Sequence, residues 1–172
     1  MNDSLDRVAR IQNEWRRERP DLDVSPLGVI GRLHRLGTFL TEELTVVYRK
    51  HGLGEGDFDV LAALRRAGGS FERAPGELAD HTMVTTGAMT KRIDRLVLAG
   101  LVTRRPATAD RRRRVIALTR KGHELIDRAF GEHVANEHRL IDELTAEEAE
   151  QLESLLTKWL LQFEKPAEDG RG

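Results

Sequence analysis

The sequence predicts a mainly α-helical protein carrying one small, basic β-hairpin, and three observations predict it. Apolar residues recur at helical spacing through most of the chain. That period stops at Gly100, after which two short β-prone segments flank an arginine-rich tip. The charge is just as uneven. Thr85 to Lys121 holds eleven basic residues against two acids, Asp94 and Asp110, a balance of +9 in a chain of net charge −1, which leaves −10 for the remainder. Such an asymmetry is the electrostatic footprint of a polyanion partner, concealed by the average.

The elements follow in order. Ser4 to Glu18 predict a first helix with Leu5, Val8, Ile11, Gln12 and Trp15 on one face and Arg7, Arg10, Arg16 and Arg17 around the rest, ended by Pro20. A short helix with one apolar stripe needs a surface to pack on, so residues 1–22 are expected to form an extra N-terminal helix docked on the body. Ser25 as N-cap and Pro26 in the first turn open a long helix. In it Leu27, Ile30, Leu33, Leu36, Leu40, Leu44 and Val47 recur as far as about His51, and Gly52 closes it. A third helix carries Phe58, Val60, Leu61 and Leu64 and stops at Gly68-Gly69.

Ala74 to His81 read as a short helix and Thr82 to Val84 as a turn. The next helix places Met89, Ile93, Leu96 and Val97 on one face and leaves Thr86, Thr90, Lys91 and Arg95 elsewhere on its surface. Leu101 to Arg105 and Val115 to Leu118 are the strands of the hairpin, joined by Pro106 to Asp110 and by Arg111 to Arg114. Thr119 then caps a long helix to about Asp142, with Leu125, Ile126, Ala129, Phe130, Val134 and Leu140 apolar. Thr145-Ala-Glu-Glu is a capping box opening a last helix through Leu152, Leu155, Leu156, Trp159, Leu160 and Phe163. Residues 166–172 carry no large apolar side chain and are expected to form a flexible tail.

A basic run by itself is what a solvated face looks like. A Thr/Lys/Arg helix face leading straight into a basic hairpin is harder to explain that way, and together they read as a winged helix-turn-helix over residues 55–119. Composition narrows the alternatives. The absence of cysteine removes disulfides, thiolate metal sites and thiol redox sensing, and is compatible with a reducing cytoplasm. No apolar run approaches 18 residues and no charged-then-apolar leader opens the chain, so neither a membrane span nor a secretory signal is expected and the location expected is cytoplasmic. The six histidines show no His-Glu-x-x-His pattern, no nucleophile and base converge in the sequence, and neither an enzyme nor a cofactor is expected.

The segment ELADHTMVTTGAMTKRIDRLVLAGLVTRRPATADRRRRVIALTRKG resembles the MarR family of bacterial regulators, in which a helix-turn-helix precedes a wing containing Asp-Arg-Arg and a strand ending in Leu-Thr. The likeness spans about Ser25 to Glu164. It implies a homodimer that binds pseudo-palindromic duplex DNA and represses a neighbouring gene until a small molecule releases it. Residues 23–54 and 120–165 then form a helical dimerisation region, although an ordinary intramolecular core accounts for the same apolar pattern. On DNA, Thr85, Thr86, Thr90, Lys91 and Arg95 are the candidates for base edges and flanking phosphates in the major groove. Arg112 is the candidate for the minor groove, with Asp110 holding the wing's shape by pairing to a nearby arginine. Arg111, Arg113 and Arg114 suit phosphate contacts or plain strand-face charges.

The extra N-terminal helix makes the chain similar to a urate-responsive (PecS/HucR-like) subgroup. Four positions of that subgroup's effector site match Trp15, Asp59, Arg92 and Arg104. Two guanidiniums can hold a planar anion, an indole can line the pocket, and a carboxylate can pair with an arginine when no ligand is there. The resemblance therefore implies a small anionic effector, urate or a related purine, with a tricarboxylate or a phenolic anion as alternatives. Each residue also has a plainer role: Trp15 a docking anchor, Asp59 a helix N-terminal charge, Arg92 a phosphate contact, Arg104 a surface strand residue. Zinc sensing through histidines and carboxylates, as in some relatives, and DNA binding without any effector are the remaining readings.

Overall fold

Seven helices and three strands succeed one another among the residues that the computed structural model describes, 5–82, 86–107, 110 and 112–164. The expected tail, 166–172, lies outside them. The chain divides into two compact units, Met1–His133 and Val134–Gly172. The first unit opens with α1 (Arg7–Glu18) and α2 (Pro26–Lys50). Asp6 caps α1, its carboxylate accepting the Ala9 amide at 2.8 Å; Ser4, the expected start of the helix, lies outside the described residues. The helix docks on α2 by burying Val8 and Gln12, and Gln12 Nε2 donates to the Val24 carbonyl at 3.0 Å. Glycine makes the approach possible. A Cβ at Gly31 would lie 3.0 Å from Val8 Cγ1, and one at Gly28 would lie 3.1 Å from Gln12 Nε2.

Ser25 does not cap α2. Its own backbone is helical and it offers no side-chain cap; instead its amide and hydroxyl both donate to the Asp23 carboxylate, at 2.9 and 3.0 Å, so Asp23 organises the entry. At the far end Gly52 takes φ +69°. There the Leu53 amide returns to the Tyr48 carbonyl and the Gly52 amide to that of Arg49, the pairing that terminates a helix on a left-handed residue.

Next come α3 (Glu55–Arg65), β1 (Glu72–Arg73), α4 (Pro75–Thr82), α5 (Thr86–Leu98), β2 (Val102–Pro106), β3 (Arg114–Leu118) and α6 (Arg120–Leu140). The core is built around α3, which buries Phe58, Val60, Leu61 and Leu64 against Leu78 of α4, Met89, Ile93 and Leu96 of α5, Val102 and Ile116 of the sheet, and Ile126 of α6. Tyr48 stacks on Phe58 with ring centroids 4.2 Å apart. The strands form an antiparallel sheet in the order β1-β3-β2, with Arg104 opposite Ile116 and Glu72 opposite Ala117. β1 was not expected. Two polar residues between a Gly-Gly stop and Pro75 show no alternation, and only pairing with β3 makes them a strand.

The start of β2 and the start of α6 are fastened together. Thr119 Oγ1 accepts the Gly122 amide at 3.0 Å and donates toward the Gly100 carbonyl at 2.7 Å, and the Thr119 amide donates to Leu101. Gly122 lies so close that a Cβ there would fall 1.9 Å from the Leu101 carbonyl oxygen.

In the second unit, the remainder of α6 is followed by α7 (Ala146–Leu160), which ends three residues short of the predicted Phe163. The capping box is made as expected: Thr145 Oγ1 accepts the Glu148 amide, and Glu148 Oε2 accepts the Thr145 amide at 2.8 Å. α7 buries none of its residues. No helix among the described residues is long and apolar enough to cross a membrane.

Candidate nucleic-acid interface

α4 and α5 form the helix pair. Burial of Met89, Ile93 and Leu96 turns Thr90, Lys91 and Arg95 outward. Thr86 opens α5, while its side chain, together with Thr85 and Arg111, lies outside what the structure describes. Lys91 is exposed. Arg95 is not a free cation: its Nη2 and Nε both donate to Asp57 Oδ1, at 2.6 and 3.2 Å.

Two arginines tie the wing to neighbouring elements. Arg105 pairs with Glu72 of β1 at 2.7 Å, and Arg113 stands 3.6 Å from Glu77 of α4. Arg112 and Arg114 are exposed. At the tip the Asp110 carboxylate accepts the backbone amide of Arg112 at 3.0 Å and its carbonyl accepts that of Arg113, so Asp110 organises a local turn.

Of the four effector candidates, Asp59 on α3 and Arg92 on α5 lie within electrostatic range of each other. Burial raises the Asp59 carboxyl above its usual range and Glu55 raises it further, with Arg92, Arg66 and His133 opposing. The Arg92 guanidinium lies on Gly56, where a Cβ would fall 1.9 Å from its Cζ. Its Nη1 is buried and has no hydrogen-bond partner among the described residues. Arg104 is held elsewhere, by Asp94 of α5 at 2.5 Å. Trp15 stands half-exposed on α1.

Comparison with known proteins fits this arrangement. The model of the MarR family matches residues 51–113, spanning α3 to the wing. Over 149 residues the chain is 40% identical to the HTH-type transcriptional regulator PecS of Dickeya dadantii, covering 87% of this chain and 90% of that protein. The chain belongs to the MarR family. Within it the chain is PecS-like, and these relatives are DNA-binding transcriptional regulators. Two solved MarR-family structures share the fold. AbsC of Streptomyces coelicolor superposes with a TM-score of 0.72 at 25% identity, covering 84% of this chain and 99% of that one. A mutant MarR of E. coli, complexed with operator DNA, superposes with 0.66 at 30% identity, covering 80% and 95%.

In this MarR-family chain, sequence reading missed the partners of its own candidates. Asp57, Gly56 and Asp94 carried no motif. The one available signal was that Asp57 and Asp59 both fall on α3 while Arg92 and Arg95, three residues apart, share a side of α5.

Proposed function

We propose that the chain acts as a homodimeric transcriptional repressor that reads a pseudo-palindromic duplex through α5 and the wing and leaves it when a small anion binds, urate or a related purine first among candidates. One observation carries the effector reading: the buried Nη1 of Arg92, without a hydrogen-bond partner among the described residues and within electrostatic range of Asp59. A buried donor left unmade costs about 1–3 kcal/mol, and a planar anion supplies the missing acceptor. Arg104 joins the anion by giving up Asp94, and Trp15 is the fourth candidate. Because Arg92 belongs to α5, an anion that prefers one setting of that helix shifts affinity for DNA. Support for a homodimer comes from the apolar side chains left exposed on α2, among them Leu36 and Phe39, and on α7, among them Leu155 and Leu160.

The test is a gel-shift titration on DNA upstream of this protein's own gene, with urate, citrate and salicylate added separately. Gly56→Ala is run beside the native chain. The new methyl group displaces a flexible guanidinium rather than backbone, so the helix is expected to fold with stability within about 1 kcal/mol of the original, while release by the anion is lost. Release by urate that Gly56→Ala abolishes supports the pocket. Release by citrate or salicylate alone reassigns the ligand. Tight binding that no anion relieves removes the effector and leaves a DNA-binding protein without one.

A further inference from the structure

We infer that Asp57 and Arg95 are a positioning pair, which sets the orientation of α5 for sequence reading, and that Arg95 does not itself contact DNA. The inference rests on α5 being the helix that reads the duplex, as proposed above.

Asp57 is only 7% exposed, and both of its oxygens are used. Oδ2 accepts the Gly54 amide at 3.2 Å, closing the first turn of α3. Oδ1 takes the two Arg95 donors. Apolar contacts of Met89, Ile93 and Leu96 bury α5 without prescribing its roll, since such contacts are non-directional. A guanidinium with two donors on one nearly buried oxygen is directional and removes that freedom. Turning Arg95 to a phosphate would strand an almost fully buried carboxylate, and breaking a buried pair from one side is the costly way to break it. The pairing also favours the charged form of Arg95, whose ionisation is held above its ordinary range by that same carboxylate. Asp59 and Arg92, both effector candidates, belong to the same two helices, two residues from Asp57 and three from Arg95.

Positioning and phosphate contact predict opposite outcomes. A duplex enriched from a random pool by the native protein is compared with a random-sequence duplex of equal length, over a range of salt. Asp57→Asn keeps an acceptor for the Gly54 amide and removes the anion; Arg95→Lys keeps the charge and removes the two-donor grip. Both variants are expected to lose roughly tenfold in affinity for the enriched duplex, because base reading depends on orientation, and to keep their random-duplex affinity and salt dependence. Combining them is expected to cost no more than either alone.

Arg95→Lys with native affinity, or Asp57→Asn with native or tighter binding, would overturn the inference and make Arg95 a phosphate contact. A lowered melting temperature with an unchanged ratio of the two affinities would also overturn it, leaving the pair purely structural. A native chain that enriches no duplex removes the DNA-reading role of α5 as well, so that failure is distinct from the others.

Discussion

Gly122→Ala is expected to lower stability by about 3 kcal/mol, at a helical position where the same change ordinarily gains up to about 1 kcal/mol. The opposite sign comes from the neighbour. The new methyl group would fall 1.9 Å from the Leu101 carbonyl oxygen and 2.9 Å from its carbon, and backbone at the head of a strand cannot step aside as a side chain does. Separating the two also stretches the Thr119 bonds to Gly100 and Leu101. Urea denaturation of the native and Gly122→Ala proteins measures the difference. An unchanged or higher midpoint would mean that α6 and β2 do not meet as closely as described.

Affinity for duplex DNA is expected to fall roughly 10³-fold between about 50 and 200 mM salt, the low end of the range for proteins that neutralise six to ten phosphates. A local balance of +9 suggests more, but the ion pairs decide otherwise. Arg95, Arg104, Arg105 and Arg113 each stand within 4.0 Å of a carboxylate, those of Asp57, Asp94, Glu72 and Glu77. A cation already paired releases few counterions when DNA arrives. Lys91, Arg112 and Arg114 are exposed without a carboxylate partner among the described residues, about six charges in a dimer. Arg112→Ala is accordingly expected to reduce the slope of log affinity against log salt, by about one for each copy that meets a phosphate. A slope near zero would overturn the DNA reading altogether.

Periodicity and end signals made most of the fold legible. Gly52 and Gly100 terminate their helices at φ +69° and +70°, and Thr119 and Thr145 cap theirs, because a terminus is specified by residues within a few positions of it. Ser25 shows where local rules compete: Asp23, two residues earlier, takes the Ser25 hydroxyl. β1 escaped because a two-residue strand exists only through its partner. The site was legible in part. Asp59 and Arg92 lie within electrostatic range of each other, whereas Arg104 is paired with Asp94 and Arg95 is engaged by Asp57, 38 residues away. Charged side chains look alike in a sequence whether they face DNA or a carboxylate, and only tertiary packing tells them apart.

The left-handed Gly100 has a mechanical consequence. The Leu101 amide bonds back to Leu96 and the Gly100 amide to Val97, while Lys121 Nζ and Thr119 Oγ1 of the following segment grip the Ala99 and Gly100 carbonyls. Only three residues separate α5 from β2, and every one of them is bonded. No slack remains for the helix to turn while the hairpin stays still. Any torque applied at Arg92 therefore reaches the wing as well, so that helix and hairpin turn as one piece.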